Sequence, residues 1–312
     1  MDAFIVAFQV MTPIFLMMAV GFGARRIGLL NDKIIKPVNN LVFRVFLPAM
    51  LFVSIVEMEL SELLNIRLIS YVAVVTILTF FVVFLVVPKV EKKRERIGVL
   101  IVGMIRGNVV YFGLPVVSLL VGQRYVGMVA LVIAVVAPLY NIMSVIALET
   151  FREGRTELRN VFSGIARNPM ILSIVAALVF LLLQIPIPQV VMIPLKDLAG
   201  VASPLALFLL GGSFSFSSAA GYWKEIISAV LVKTVIVPAL ALPVAIWIGF
   251  SQGELGTIFA TVGAPTAVAS FAMAQQMEGD DRLAGQIVVH SSAAAVVTIF
   301  LWIVLFKHFG FL

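Results

Sequence analysis

The sequence of 312 residues contains no cysteine and only two histidines. Without cysteine the chain forms neither disulfides nor thiolate metal sites. Two histidines do not supply a set of metal ligands, so neither a metal nor a cofactor is expected. Charged residues are also scarce, at 12% of the chain against about 25% in soluble domains. A chain of this length in water would have too few charges to cover its surface, which excludes a soluble enzyme, a nucleic-acid-binding protein and a disordered regulator.

Hydrophobic residues make up 62% of the chain, and its mean hydropathy is +1.14. If each membrane crossing uses ~20 apolar residues, this content suffices for about ten crossings. The apolar runs are too long and too continuous for the alternating pattern of barrel strands. They predict an all-α membrane protein with ten transmembrane helices at 3–24, 37–56, 68–88, 97–121, 125–148, 169–186, 190–212, 225–249, 255–277 and 284–306.

Lysine and arginine are distributed unequally between the predicted loops. One alternating set of loops holds 15 of these residues, whereas the opposite set, together with the C-terminus, holds 3. Because basic residues accumulate on the cytoplasmic side of membrane proteins, the first set is predicted to be cytoplasmic and both termini to lie outside. The same rule explains the net charge of +6 without a nucleic-acid partner.

Short motifs recur in the two halves of the chain at nearly constant spacing. The matched motifs are Pro13 with Pro169, Pro48 with Pro204, and Gly113-Leu114-Pro115 with Gly263-Ala264-Pro265. The first two pairs are 156 residues apart and the third pair 150. Chance matching of common residues is the alternative explanation, but the agreement of the spacings and the order of the helices favour an internal repeat.

We therefore predict two repeats of five helices, at 1–149 and 168–312, joined by a cytoplasmic linker at 150–167. Because five is an odd number, the second repeat enters the membrane from the opposite side, and the two repeats are inverted. Inverted repeats are typical of secondary transporters, in which the binding site lies near the membrane midplane between the repeats.

Two Gly-x-Pro motifs, Gly113-x-Pro115 and Gly263-x-Pro265, lie in the fourth and ninth predicted helices. Proline removes a backbone hydrogen bond from a helix, so both helices are predicted to be broken and to cross near the midplane. Half-helix N-termini at such a crossing offer N–H groups to an anion, and the freed carbonyls can hold a cation. Simple packing kinks are the alternative interpretation, because Gly and Pro are frequent in membrane helices.

Polar side chains cluster near these motifs. Arg106 and Asn108 precede the first motif, Thr266 follows the second, and Asn141 lies in the fifth predicted helix. An amide can donate to a carboxylate and accept from water or a cation, so Asn108 and Asn141 are the principal candidates for substrate contacts. Hydrogen bonding between neighbouring helices is the alternative role of each amide.

Cations inside the predicted helices are expected to face the bundle interior or a cavity. Arg106 and Lys233 lie closest to the midplane, where either could balance an anionic substrate or replace a coupling cation. Arg44 could do the same or extend its charged end towards the cytoplasm. His290 could titrate near neutral pH, although neutral packing is the commoner role of a single histidine. Coupling to protons or to sodium therefore stays open.

Several motifs resemble those of the auxin efflux carrier family, which includes proteins described as malate permeases. They are the stretch Leu41–Phe52 with Pro48, the stretch Asn108–Pro115, Asn168-Pro169, and the stretch Ala264–Ser270. Val110 departs from the small residue that the family has at that position. The long central hydrophilic loop of the plant carriers is missing, which favours a prokaryotic carrier of a cell inner membrane.

The resemblance implies a fold related to bile-acid/sodium symporters. Helices 1, 2, 6 and 7 would form a scaffold, and helices 3–5 and 8–10 a mobile transport domain. It implies transport of a small organic anion by alternating access, with Asn108, Asn141, Pro115 and Pro265 at or beside the substrate site. The scaffold helices are also the expected interface of a homodimer. A sodium-coupled bile-acid-type symporter and a membrane sensor that binds its ligand without transport are the alternatives, whereas an enzyme is not expected.

Overall fold

The computed structural model describes residues 2–57, 65–122, 125–152, 163–214 and 221–311. Within these ranges the chain is helical and contains no strand. The only β-type feature of the described residues is an isolated antiparallel bridge between Gly107 and Thr266. Most of the predicted linker, residues 153–162, lies outside the described residues.

Fourteen α-helices of the described residues define the fold. In the first half they are α1 (Asp2–Arg26), α2 (Asp32–Leu41), α3 (Leu47–Val56), α4 (Ile66–Val90), α5 (Arg94–Ile105), α6 (Leu114–Leu120) and α7 (Val126–Thr150). In the second half they are α8 (Pro169–Leu182), α9 (Gln189–Ser213), α10 (Trp223–Leu231), α11 (Val237–Ile248), α12 (Gln252–Val262), α13 (Ala269–Gln276) and α14 (Asp281–His308).

Six helical segments of the described residues are long and apolar enough to cross a membrane. They are Asp32–Val56, Ile66–Val90, Met128–Thr150, Gln189–Ser213, Trp223–Ile248 and Asp281–His308. Many of their large apolar side chains are exposed, as at Leu78, Phe81 and Trp247, which is the surface that a lipid bilayer covers. The chain is therefore a multi-pass membrane protein. The remaining predicted spans fall on α1, on the shorter α8 and on two interrupted helices.

Three turns of π-helix in the described part of the chain each end two residues before a proline. They are Val42–Phe46 before Pro48, Val109–Gly113 before Pro115, and Val232–Ile236 before Pro238. Proline has no N–H to donate to the carbonyl four residues before it. A π-turn uses i→i+5 hydrogen bonds, and with this altered pattern the helix continues through the proline. At the third turn Trp302 Nε1 donates to the Thr234 carbonyl at 3.2 Å, which satisfies the acceptor four residues before Pro238.

Close backbone contact joins α1 to α9, and α3 packs against α8 and α9. A Cβ atom at Gly21 would lie 1.9 Å from the Phe208 carbonyl oxygen, and one at Gly211 would lie 1.9 Å from the Met18 carbonyl oxygen. Only glycine permits this approach at either position. Small residues at such contacts are typical of helix packing in membranes. A second set of neighbours consists of α4, α5 and α7.

Candidate functional site at two interrupted helices

Two helices are interrupted in the interior of the molecule. The first ends with α5 at Ile105 and resumes at Val109, and the second ends with α12 at Val262 and resumes with α13 at Ala269. The second break lies at Gly263-x-Pro265, where it was predicted. The first was predicted at Gly113-x-Pro115, and that position is wrong. The π-turn Val109–Gly113 runs directly into α6 past Pro115, while the chain is extended at Arg106, with φ −82° and ψ 105°.

The two breaks pair with each other through their backbones. Asn108 N donates to the Pro265 carbonyl oxygen at 2.8 Å, and Ala267 N donates to the Arg106 carbonyl oxygen at 3.0 Å. These bonds form the antiparallel bridge between Gly107 and Thr266. Backbone groups at membrane depth must be satisfied by protein or water. Each break thus satisfies groups that the other leaves free, and the two are held in fixed register.

A cavity of about 60 Å³ lies beside this bridge. It brings together three of the predicted site residues, Arg106, Asn108 and Asn141. Met50 on α3 and Ser203 on α9 also line it. Polar groups from three separate parts of the chain therefore converge on one small, mostly apolar space, which is the general form of a ligand site.

The ends of the interrupted helices are arranged asymmetrically around this cavity. Val109, which begins the helix leading into α6, and Ala269, which begins α13, both line it. The first N–H groups of a helix have no partner within the helix and carry positive partial charge. The carbonyl ends of the two interrupted helices already have hydrogen-bond donors. At the end of α12, Lys233 Nζ donates to the Val262 oxygen at 3.1 Å, and near the end of α5, Thr266 Oγ1 donates to the Gly103 oxygen at 2.7 Å. The cavity therefore has a positive electrostatic character.

The side chains at the cavity add hydrogen-bond donors. Arg106 is only 4% exposed, and its Nη1 lies 2.7 Å from Met273 Sδ, a weak acceptor. Asn108 Nδ2 is buried and has no hydrogen-bond partner. Asn141 Nδ2 donates to the Ala137 carbonyl at 2.7 Å, and its Oδ1 is buried without a partner. A buried guanidinium beside an unsatisfied amide donor can bind a carboxylate.

Several other predicted residues build the framework of the site. The Pro265 carbonyl and Thr266 belong to the bridge, and Gly263 is the C-cap of α12. Gly113 is buried at the end of the π-turn. The side chain of Pro115 lies outside the described residues.

Arg44 and His290 are not brought to the cavity. Arg44 is exposed in the π-turn between α2 and α3. His290 Nδ1 lies 2.8 Å from the Gln286 carbonyl oxygen, and its ring meets Trp223 edge-on at 5.6 Å. Within the described ranges no group of three or more histidine and carboxylate side chains is placed to hold a metal ion.

Gly107 is a residue of the site that sequence reasoning missed. A Cβ atom there would lie 3.1 Å from the Thr261 carbonyl oxygen and 3.2 Å from Lys233 Nζ. Gly263 follows Gly107 by 156 residues, the same spacing as the proline pairs. Applying that spacing to the fourth helix would have located the first break.

A multi-pass helical protein with a mostly apolar cavity between interrupted helices, lined by a few polar side chains, has the general form of a membrane transporter. A family model described as membrane transport protein matches the chain over residues 6–163 and 152–303. The chain therefore belongs to this family, and the resemblance to the auxin efflux carriers is confirmed. It is also similar to an uncharacterized transporter of Methanocaldococcus jannaschii, with 20% identity over 304 residues that cover 94% of this chain and 97% of that protein.

Proposed function

We propose that the protein is a secondary active transporter of a small organic anion with a carboxylate group. The cavity beside the bridge carries this proposal, because Arg106, the free Asn108 amide donor and two helix N-termini meet there. All of these groups favour negative charge. A carboxylate would bind with its oxygens towards them.

The proposed architecture has ten spans in two inverted repeats, with the interrupted helices crossing as the fourth and ninth. The spacing of 156 residues between Gly107 and Gly263 supports it. The proposed scaffold consists of α1–α3, α8 and α9, and the remaining helices form the transport domain. Both termini would lie outside a cell inner membrane, and a homodimer would form through the scaffold.

The composition of the cavity walls supports transport by alternating access. Met50 and Ser203 belong to the proposed scaffold, whereas Arg106, Asn108 and Asn141 belong to the proposed transport domain. The present volume of about 60 Å³ corresponds to roughly two water molecules at ~30 Å³ each. An organic acid of several carbons needs more space, so binding requires the transport domain to move away from α3 and α9.

Uptake into proteoliposomes tests this function. Purified protein is reconstituted, and a panel of radiolabelled mono- and dicarboxylates is offered with a sodium gradient, a proton gradient or neither. We expect uptake of at least one acid, and a loss of about tenfold or more in Arg106→Gln, because a charge-assisted hydrogen bond contributes ~1.5–3 kcal/mol. Arg44→Gln, which removes the same charge outside the cavity, should keep normal uptake.

The same measurement separates the alternatives. Uptake that requires the sodium gradient would identify a sodium-coupled symporter. Saturable binding of an acid without any flux would identify a ligand sensor. Equal uptake by the wild type and Arg106→Gln would remove the cavity from the transport path.

A further inference from the structure

Lys233 is a buried cation for which the described residues offer no counter-ion. It lies in the π-turn Val232–Ile236, near the middle of the helical segment Trp223–Ile248. Its side chain is 1% exposed, and none of the ion pairs found among the described residues includes it. An ammonium group at membrane depth without compensation is strongly unfavourable. Other groups must therefore offset its charge.

A backbone carbonyl at a helix end contributes to that compensation. Lys233 Nζ donates to the carbonyl oxygen of Val262 at 3.1 Å, and Val262 is the last residue of α12. The last carbonyls of a helix lack partners within the helix and carry negative partial charge. The same Nζ lies 3.2 Å from the position that a Cβ atom would take on Gly107. The ammonium therefore sits where the two breaks meet, at the carbonyl end of one of them.

Such a position is one that a free cation would otherwise take. In transporters with discontinuous helices, unwound carbonyls and half-helix C-terminal ends at the midplane coordinate sodium ions. Here the carbonyl end is occupied by a cation that is covalently part of the chain. The first residues of the resuming helices, Val109 and Ala269, line the cavity together with Arg106 and Asn108.

We propose that the Lys233 ammonium stands in for a coupling cation, so that the carrier needs no sodium, and that its removal opens a site for a small monovalent cation at the Val262 carbonyl. The consequence for coupling rests on the proposed transport function. The existence of a cation position at the Val262 carbonyl does not rest on that function, because it is argued only from the geometry of the two paired breaks.

Thermal unfolding of the purified full-length protein tests the position directly. Melting temperatures are measured in sodium, potassium, choline and n-propylammonium chloride at equal ionic strength. We expect the wild type to melt at one temperature in all four salts. Lys233→Ala should melt lower in choline and recover by several degrees, saturably, in sodium or n-propylammonium, because a ligand that binds only the folded state raises its stability.

Two control variants accompany this measurement. Lys233→Met fills the space of the removed side chain without a charge, so it should show no recovery in any salt. Lys224→Ala removes an exposed lysine of α10 and should behave as the wild type.

Each outcome decides the proposal. A saturable, sodium-specific rise of the wild-type melting temperature would overturn it, as would a Lys233→Ala variant that recovers in neither sodium nor n-propylammonium. If Lys233→Ala yields no folded protein, the proposal is decided by two measurements on the wild type: the sodium dependence of its melting temperature and the sodium dependence of its anion uptake. Wild-type anion uptake that requires sodium overturns this inference and leaves the transporter intact. Absence of any anion uptake refutes the proposed function and leaves the melting test unaffected.

Discussion

Gly107 lies at the bridge where the two interrupted helices pair. A methyl group there would meet the Thr261 carbonyl oxygen at 3.1 Å, Lys233 Nζ at 3.2 Å and Ala264 Cβ at 3.3 Å. These distances are shorter than ordinary contacts, and two of the three atoms belong to the chain around the second break. Overpacking of this kind costs typically ~1–3 kcal/mol. We therefore expect Gly107→Ala to lower the melting temperature and to reduce uptake together.

Gly23→Ala is the matched control for this prediction. Gly23 lies in α1, and no atom comes within 4 Å of the position of a Cβ there. The alanine should leave the melting temperature unchanged or raise it slightly, since alanine is the better helix former by ~1 kcal/mol. If both variants melted alike, the close approach at Gly107 would have no energetic consequence.

The polar residues show what a sequence can reveal at this scale. Arg106, Asn108 and Asn141 stand out because polar side chains are rare in apolar helices, and the structure places them at one cavity. Arg44 stands out for the same reason, yet it is exposed. The sequence indicates how deep a residue lies in a helix, but the packing partners decide which face is buried.

At the scale of elements, continuous apolar length predicts the unbroken helices closely. The predicted spans 68–88 and 190–212 differ from α4 and α9 by two residues or fewer at each end. The break before α6 was misplaced because a Gly-x-Pro motif does not tell whether a π-turn accommodates the proline. The actual break is stabilised by Thr266, 159 residues beyond Gly107. No local pattern contains that information.

The beginning of α12 depends on a carboxylate just outside the membrane-spanning segment. Glu254 Oε2 accepts from the Ser251 backbone N–H at 2.8 Å, and Oε1 accepts from Asn65 Nδ2 at 2.8 Å. Burial alone would raise the pKa of Glu254. The hydrogen bonds from Asn65 and Ser251 and the charge of Arg67 outweigh burial and hold the pKa below its ordinary value of 4.5.

This depressed pKa makes stability depend on pH in a defined direction. The ionised carboxylate stabilises the fold above about pH 4.5, and that contribution is lost as the pH falls through the lower folded-state pKa. Glu254→Gln should be less stable than the wild type at pH 7 by ~1 kcal/mol, and the difference should shrink in acid. Melting temperatures between pH 7 and pH 3 measure it, with Gln252→Ala of the same turn as control. A difference that does not change with pH would contradict the assignment.

At the scale of the whole molecule, ion pairs tie together the loop ends of helices in the proposed transport domain. Arg96 pairs with Glu225 at 2.8 Å and with Asp280 at 3.3 Å. Arg152 pairs with Glu149 at 3.3 Å and also with Glu278. These pairs connect α5, α7 and the beginnings of α10 and α14. They favour motion of these helices as one body, which alternating access requires.

A partly buried hydrogen bond crosses from this body to the proposed scaffold. Asn39 Nδ2 on α2 donates to Gln275 Oε1 on α13 at 2.8 Å. If the two bodies move against each other, this distance must change during each transport cycle. A covalent link between the two positions should therefore stop transport, whereas a link within one body should not.

The absence of cysteine from the chain makes this prediction directly testable. We expect a short thiol-reactive crosslinker to reduce uptake at least tenfold in Asn39→Cys/Gln275→Cys, and dithiothreitol to restore it. Arg96→Cys/Glu225→Cys has both positions in one body. Its crosslinked form should therefore show the same uptake as its reduced form. Because each variant is compared before and after reduction, any loss caused by the substitutions themselves cancels. Normal uptake by the fully linked Asn39/Gln275 pair would show that the scaffold and the transport domain do not move against each other at this contact. Alternating access would then require a different boundary between the two moving bodies.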